Sequence, residues 1–124
     1  MEPSGPTRYD RLGPERLDLL VSAFYQNIQA DPILAPLFPD DIAPVREKQR
    51  LFLTQFLGGP PLYSEQYGHP RMRMRHMPHR IDERAVKRWL QCMWHAIDSL
   101  DLEPAFKQEL FASFPRLAVH MQNN

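Results

Sequence analysis

Thirteen prolines divide this chain of 124 residues into short segments, and most of them lie between stretches of helical periodicity. A proline lacks the N–H that a strand ladder or a helix interior requires, so it ends such an element or opens a new one. The separating prolines are Pro14, Pro32, Pro36, Pro39, Pro60, Pro61, Pro70 and Pro78. Between them apolar residues recur every three or four positions, and no segment reads convincingly as a strand. The sequence therefore predicts an all-α fold with four substantial helices and one short one.

Helix boundaries follow from local start and stop signals. These signals are Gly13-Pro14-Glu15 and Asp31-Pro32 for the first long helix, Asp40-Asp41 and Gly58-Gly59-Pro60-Pro61 for the second, Asp82 as N-cap of the third, and Glu103-Pro104 for the last. Pro115 should bend the last helix. About a dozen residues after Pro61 are expected to form a loop, and unstructured loops of that length are uncommon unless they carry function. Residues 1–124 are read as one domain, with 1–12 an N-terminal arm or short helix.

Charge and cysteine content exclude several classes of protein. The chain carries 15 basic and 15 acidic residues, so neither a nucleic-acid surface nor a polybasic membrane patch is expected. No apolar run approaches the roughly 18 residues that a membrane span needs. The single cysteine, Cys92, excludes an internal disulfide and fits a reducing compartment. The N-terminus has no signal pattern, and the expected location is the cytoplasm.

One histidine stands in an unusual setting, the stretch Arg71-Met-Arg-Met-Arg-His76-Met-Pro-His79. On a one-turn helix Met72 and His76 share a face, and Pro78 ends the helix there. An imidazole between apolar sulfur-bearing side chains and cations suits an apolar, anionic, metal-centred disc. The alternatives are an ordinary packed histidine, or a zinc site that also uses His69 and His79, although its ligand spacing is poor.

Three hydrogen-bond donors interrupt or border apolar stripes. Gln49 lies one turn after Val45, while Tyr25 and Trp89 each combine an apolar body with one donor group. Singly, each is compatible with an ordinary core residue whose polar group is satisfied locally. Together in one cavity they would stabilise a polar, partly negative ligand such as dioxygen on iron.

Several cationic and polar side chains border these positions and could hold two carboxylates. They are Lys48, Tyr63, Arg73, Arg75 and His79. As a functional set they would clamp haem propionates. Their ordinary interpretation is a solvated face, which is the usual meaning of scattered charges.

Motifs spread over almost the whole chain resemble those of one known family. They are Ala23-Phe-Tyr25, Pro36-x-Phe38-Pro39, Phe52-Leu-Thr-Gln-Phe-Leu-Gly-Gly-Pro-Pro-Leu-Tyr63, Tyr67-Gly-His-Pro70, Met74-Arg-His-Met-Pro78, Ala85…Trp89-Leu-x-Cys-Met93 and Leu117-Ala-x-His-Met121. The set is similar to the group II truncated haemoglobins over roughly residues 8–122.

The resemblance implies a two-over-two helical sandwich around haem b (iron protoporphyrin IX). His76 would be the proximal iron ligand, and Tyr25, Gln49 and Trp89 would form a polar distal cage. Val45, which cannot donate a hydrogen bond, would act as a steric gate. The residues expected to contact the haem are Phe38, Val45, Lys48, Phe52, Phe56, Tyr63, Met72, Arg75, Met77, His79, Ile81 and Met93.

This reading predicts a haem protein that binds O2, CO and NO, and that uses O2, peroxide or nitric oxide in redox chemistry rather than in bulk oxygen transport. An unidentified reductase would serve as electron source, and the enzymatic activity would be peroxidase-like or that of a nitric oxide dioxygenase. The oligomeric state is left between monomer and homodimer. A haem-based sensor acting through a separate partner and a haem-free helical interaction domain are the competing hypotheses.

Overall fold

The computed structural model describes residues 5–70 and 81–123, and every regular element in these two ranges is helical. The α-helices are α1 (Arg8–Leu12), α2 (Pro14–Ala30), α3 (Ala43–Phe56), α4 (Leu62–Tyr67), α5 (Glu83–Asp98), α6 (Pro104–Phe111) and α7 (Pro115–Met121), with a 3-10 turn at Ala35–Leu37. The predicted all-α class is therefore confirmed. None of these helices is both long and apolar enough to cross a membrane.

Helix α2 is the centre of the packing, because it contacts both α3 and α5. The apolar residues that recur every three or four positions along it are buried: Leu17, Leu20, Val21, Phe24 and Ile28 are each at most 1% exposed. Helix α5 packs in turn against α6 and α7, and α3 packs against α4. One pair, α2 and α3, thus lies against a second pair, α5 and α7, in the expected two-over-two arrangement.

The segment after Pro61 was expected to be a loop, and this expectation is wrong for Leu62–Tyr67, which forms helix α4. The Gln55 amide donates to the Ser64 hydroxyl (2.8 Å) and accepts from the Ser64 N–H (2.9 Å). Tyr63 is 2% exposed and packs edge-on against Phe52, with ring centroids 5.8 Å apart. These contacts with α3 stabilise a helix too short to form alone.

Two further boundaries differ from expectation. Pro115 breaks the last helix rather than bending it, since it opens a new helix and offers no N–H to the preceding turn. The N-cap of α3 is Ile42, not an aspartate, although the Asp41 carboxylate accepts from the Ala43 N–H at 3.2 Å. By contrast, Asp82 caps α5 as predicted, accepting from the Ala85 N–H at 2.9 Å.

The N-terminal helix docks on the turn that follows α3. Helix α1 opens with a capping box in which Thr7 and Asp10 each accept the other's backbone N–H. The Tyr9 N–H donates to the Leu57 carbonyl at 2.9 Å. At Gly58 the φ angle is +100°, and a Cβ placed there would come within 2.8 Å of the Thr7 Cβ. The glycine pair therefore allows α1 to approach the end of α3 closely.

Candidate functional site

Two adjoining cavities lie between the helix pairs, with volumes of about 230 and 150 Å3. Four residues line both of them: Phe38, Val45, Trp89 and Met121. Phe38 follows the 3-10 turn, and the other three come from α3, α5 and α7 respectively. The cavities are therefore two parts of one cleft whose walls come from four segments distant in sequence.

The smaller cavity is lined by all three predicted donors, Tyr25, Gln49 and Trp89. Tyr25 follows Phe24 on α2, and its ring lies edge-on to both Phe24 and Phe38, at 5.0 and 5.9 Å between centroids. The Trp89 ring lies edge-on to Phe24 at 5.1 Å. These aromatic contacts orient the two rings on the wall of one cavity.

Tyr25 is 4% exposed, and burial raises the pKa of its hydroxyl well above the ordinary value. The group is thus a neutral O–H donor at any physiological pH. Within residues 5–70 and 81–123, no side-chain hydrogen bond is made by Tyr25, Gln49 or Trp89. Buried Tyr25 and half-buried Gln49 and Trp89 thus line a cavity without a protein partner for their side chains in these ranges, which fits a site whose partner is a ligand.

A cation and a pair of tyrosines in contact with each other lie beside the smaller cavity. Lys48 and Tyr63 both line it. The Lys48 ammonium lies 4.9 Å from the centroid of the Tyr67 ring, and the Tyr63 and Tyr67 centroids are 5.1 Å apart. A lysine held over an aromatic face at the cavity edge is suited to an anionic substituent of a ligand that otherwise lies inside.

The larger cavity is apolar. In addition to the shared residues, its walls are Leu34, Leu37, Pro39, Ile81, Ala85, Val86 and Ala118. A cleft with aliphatic and aromatic walls, three donors over one part and a cation at the edge suits a flat apolar macrocycle. Such a ligand would carry anionic groups on its rim and a small polar ligand on one face. The described residues therefore fit haem.

The structure brings most of the predicted site residues together. Those that line the cleft are Tyr25, Phe38, Val45, Lys48, Gln49, Phe52, Tyr63, Ile81 and Trp89. Two others lie apart from it: Met93 is fully buried in the core, and Phe56 is 36% exposed and stacks on Phe52. The remaining predicted residues, Met72, Arg75, His76, Met77 and His79, lie outside the described ranges.

Sequence reasoning did not assign a site role to several wall residues. Leu34 and Leu37 belong to a compact apolar turn bounded by prolines, and Leu117, Ala118 and Met121 belong to the stripe of the last helix. The spacing of apolar residues along the sequence does not show which of them face a cavity and which pack against one another.

The chain matches the family described as bacterial-like globin over residues 7–123. It is 44% identical over 115 residues to the group 2 truncated hemoglobin YjbI of Bacillus subtilis (strain 168), covering 93% of this chain and 87% of that protein. The crystal structure of the group II truncated hemoglobin from Bacillus anthracis superimposes with a TM-score of 0.93 at 36% identity, over 98% of this chain and 95% of that one. The truncated oxygen-avid haemoglobin from Bacillus subtilis gives a TM-score of 0.90 at 42% identity, over 95% and 100%. The chain belongs to the bacterial-like globin family and, within it, to the group II truncated haemoglobins.

Proposed function

We propose that this protein binds haem b in the cleft and uses Tyr25, Gln49 and Trp89 to hold a partly negative ligand for redox chemistry with O2, peroxide or nitric oxide. Membership of the globin family carries haem binding and the binding of diatomic gases such as O2. The finer proposal depends chiefly on one observation, that all three donors line the same cavity of about 150 Å3. A relative from Bacillus subtilis is itself described as oxygen-avid.

Bound haem supplies an iron atom that binds diatomic gases and changes oxidation state. We assign its proximal ligand to His76 from the sequence motif, with a backbone carbonyl as acceptor for the other ring N–H. Lys48 and Tyr63 would hold the propionates, together with Arg75 and His79.

Apolar residues would enclose the macrocycle. Phe38, Val45, Phe52 and Ile81 line the cleft and are proposed to contact it. Met72 and Met77 are assigned to the same wall from sequence, and Phe56 and Met93 would support it from their stacked and buried positions. With haem in place these side chains would exclude water from the cavity, which would strengthen every hydrogen bond made inside it.

The three donors supply the selectivity for a polar ligand. The Tyr25 hydroxyl is neutral and buried, so it donates without first losing a water shell. A hydrogen bond to a charged acceptor contributes about 1.5–3 kcal/mol. Two such bonds slow the release of a partly negative ligand by roughly 10²–10⁴. A protein that releases its ligand this slowly is better suited to react with the ligand than to deliver it elsewhere.

The test is the rate of O2 dissociation from the ferrous protein after removing single donors. Tyr25→Phe and Trp89→Phe should each accelerate it by roughly tenfold or more, because each removes one hydrogen bond to a partly negative acceptor. Tyr9→Phe and Trp94→Phe are matched controls, since Tyr9 packs on Gly59 and Trp94 packs on Phe111 away from the cleft. Unchanged rates in both cavity variants would overturn the proposed cage.

The chemistry is separated by two mixing experiments on the holoprotein. The oxygenated ferrous form is mixed with nitric oxide, and the ferric form is mixed with hydrogen peroxide. Turnover that is fast in one experiment and slow in the other identifies the reaction. If both are slow, the redox role is wrong even though the protein binds haem.

A further inference from the structure

An ion pair outside the cleft joins the two helices that carry Tyr25 and Trp89. Asp31 follows the last residue of α2, and its side chain is only 9% exposed. One carboxylate oxygen accepts from the Arg88 Nε at 2.7 Å. Arg88 lies on α5 directly before Trp89 and is 38% exposed.

The other carboxylate oxygen of Asp31 holds the turn that follows α2. It accepts from the backbone N–H groups of Ile33 and Leu34 at 2.8 and 3.1 Å. This turn leads directly into the segment whose residues Leu34 and Phe38 line the cleft. A single carboxylate therefore connects three walls of the site: the end of α2, the apolar turn, and α5.

A second polar contact also joins α2 to α5. The Asn27 side-chain amide donates to the Cys92 carbonyl at 3.0 Å. Asn27 on α2 lies four residues before Asp31, which follows that helix, and Arg88 lies four residues before Cys92 on α5, so both contacts lie along one edge of this helix pair. The two contacts differ in one respect, because only Asp31 also binds the turn.

The Asp31 carboxylate is ionised in this setting. Burial by itself would raise its pKa, but the hydrogen bonds from Ile33, Arg88 and Leu34 outweigh burial, and the pKa lies below its ordinary value. A charge-assisted hydrogen bond with defined geometry is directional, so it constrains the position of α5 relative to α2 more tightly than apolar packing alone.

We propose that Asp31 and Arg88 are positioning residues that set the distance between the Tyr25 hydroxyl and the Trp89 indole across the smaller cavity. This inference rests on the proposed distal cage. Neither residue lines the cleft, and the pair acts on a ligand only through the helices and the turn it joins. Loss of the pair lets α5 shift along the Phe24 contact and misaligns both donors.

The test uses the C–O stretching band of the CO complex, which reports hydrogen bonding to the ligand, together with the O2 dissociation rate. Arg88→Met keeps most of the apolar stem but removes the charge. It should move the C–O band to higher frequency and accelerate O2 dissociation by roughly three- to tenfold, the equivalent of weakening one hydrogen bond. Arg88→Lys restores the charge and should recover part of both changes.

The matched control is Glu109→Gln, which removes a 2.6 Å ion pair with Arg11 remote from the cleft. It should leave the C–O band in place. A lower urea midpoint in Arg88→Met with an unshifted band would mean that the pair only stabilises the fold, and the inference would be wrong. If Arg88→Met does not fold, Asp31→Asn replaces it, since the amide oxygen still accepts from the turn, and the same shifts are expected.

Comparison of the Tyr25 and Arg88 variants distinguishes the distal cage from the positioning role. If Tyr25→Phe and Trp89→Phe both leave the C–O band and the O2 dissociation rate unchanged, the cage itself is wrong. If Tyr25→Phe shifts them and Arg88→Met does not, only the positioning role is wrong. In a double variant, the effect of Arg88→Met should shrink when Tyr25 is already phenylalanine, because the pair acts through that hydroxyl.

Discussion

Substitution of Gly59 by alanine tests whether the close approach of α1 to α3 contributes to stability. A Cβ at Gly59 would lie 2.7 Å from a Tyr9 ring carbon and 2.8 Å from the Thr54 carbonyl oxygen. Ordinary contacts between carbon atoms are about 3.5–4.0 Å, so the overlap with the ring approaches 1 Å. Gly59 does not have a positive φ, and its substitution therefore tests sterics without backbone strain.

The neighbours of Gly59 have little room to move. Its own N–H donates to the Thr54 carbonyl at 2.8 Å, and the backbone of Tyr9 is fixed by its N–H bond to the Leu57 carbonyl. Relief of the overlap must shift the backbone or displace the ring. Overpacking of this kind costs about 1–3 kcal/mol, and we expect Gly59→Ala to fall in the upper half of that range. The corresponding fall in Tm is roughly 6–15 °C for a domain of this size.

The assay is urea and thermal unfolding of the ferric holoprotein, followed by circular dichroism at equal haem saturation. Gly68→Ala is the control for backbone strain alone, since Gly68 has φ +79° and nothing within 4 Å of its added Cβ. It should lose about 1–2 kcal/mol. Tyr9→Ala combined with Gly59→Ala should recover part of the loss but not all, because the Thr54 oxygen remains. A loss below about 0.5 kcal/mol in Gly59→Ala would refute the reasoning, as it would match an ordinary surface change.

Two further predictions concern α5. Asp82→Ala removes the acceptor of the Ala85 N–H and should lower the free energy of unfolding by about 1 kcal/mol in urea titration. Asp82→Asn should lose much less stability, because asparagine also caps helices. Equal losses in the two variants would contradict the capping role. Burial, and then the nearby Asp31 carboxylate, raises the pKa of the Cys92 thiol to about 11. Labelling by a disulfide reagent at pH 8 should therefore be at least about tenfold slower in folded than in urea-unfolded protein, and equal rates would show that Cys92 is neither buried nor perturbed.

The sequence predicted most accurately those features that depend on local periodicity. The apolar stripe of α2 and the Asp82 cap are such features. Each depends only on residues that lie a few positions apart in the sequence. Helix α4 was missed because it is stabilised by a hydrogen-bonded pair, Gln55 and Ser64, that belongs to two segments. The strength of the break at Pro115 was underestimated for a similar reason, since only tertiary packing decides between a kink and a new helix.

The residues of the candidate site were likewise predicted only in part. Motifs were sufficient to select Tyr25, Gln49 and Trp89, and the structure places all three on one cavity. Position along the chain could not show that Met93 is enclosed in the core or that Phe56 is partly exposed, because both have the spacing of inward residues. The Asp31–Arg88 ion pair could not be predicted from the sequence either. Its partners are 57 positions apart, and scattered charged residues usually indicate a solvated face.

The hydrogen bonds between Ile81, just before α5, and Asn123 affect when the cleft can form during synthesis. Ile81, which lines the larger cavity, donates its N–H to the Asn123 side chain and accepts the Asn123 N–H, both at 2.8 Å. Ala118 and Met121 complete the same wall. Since a chain emerges from the ribosome N-terminus first, this wall of the cleft cannot form until residues 118–123 have emerged. A nascent chain stalled before Ala118 should therefore lack this wall and bind haem more weakly than one that includes it.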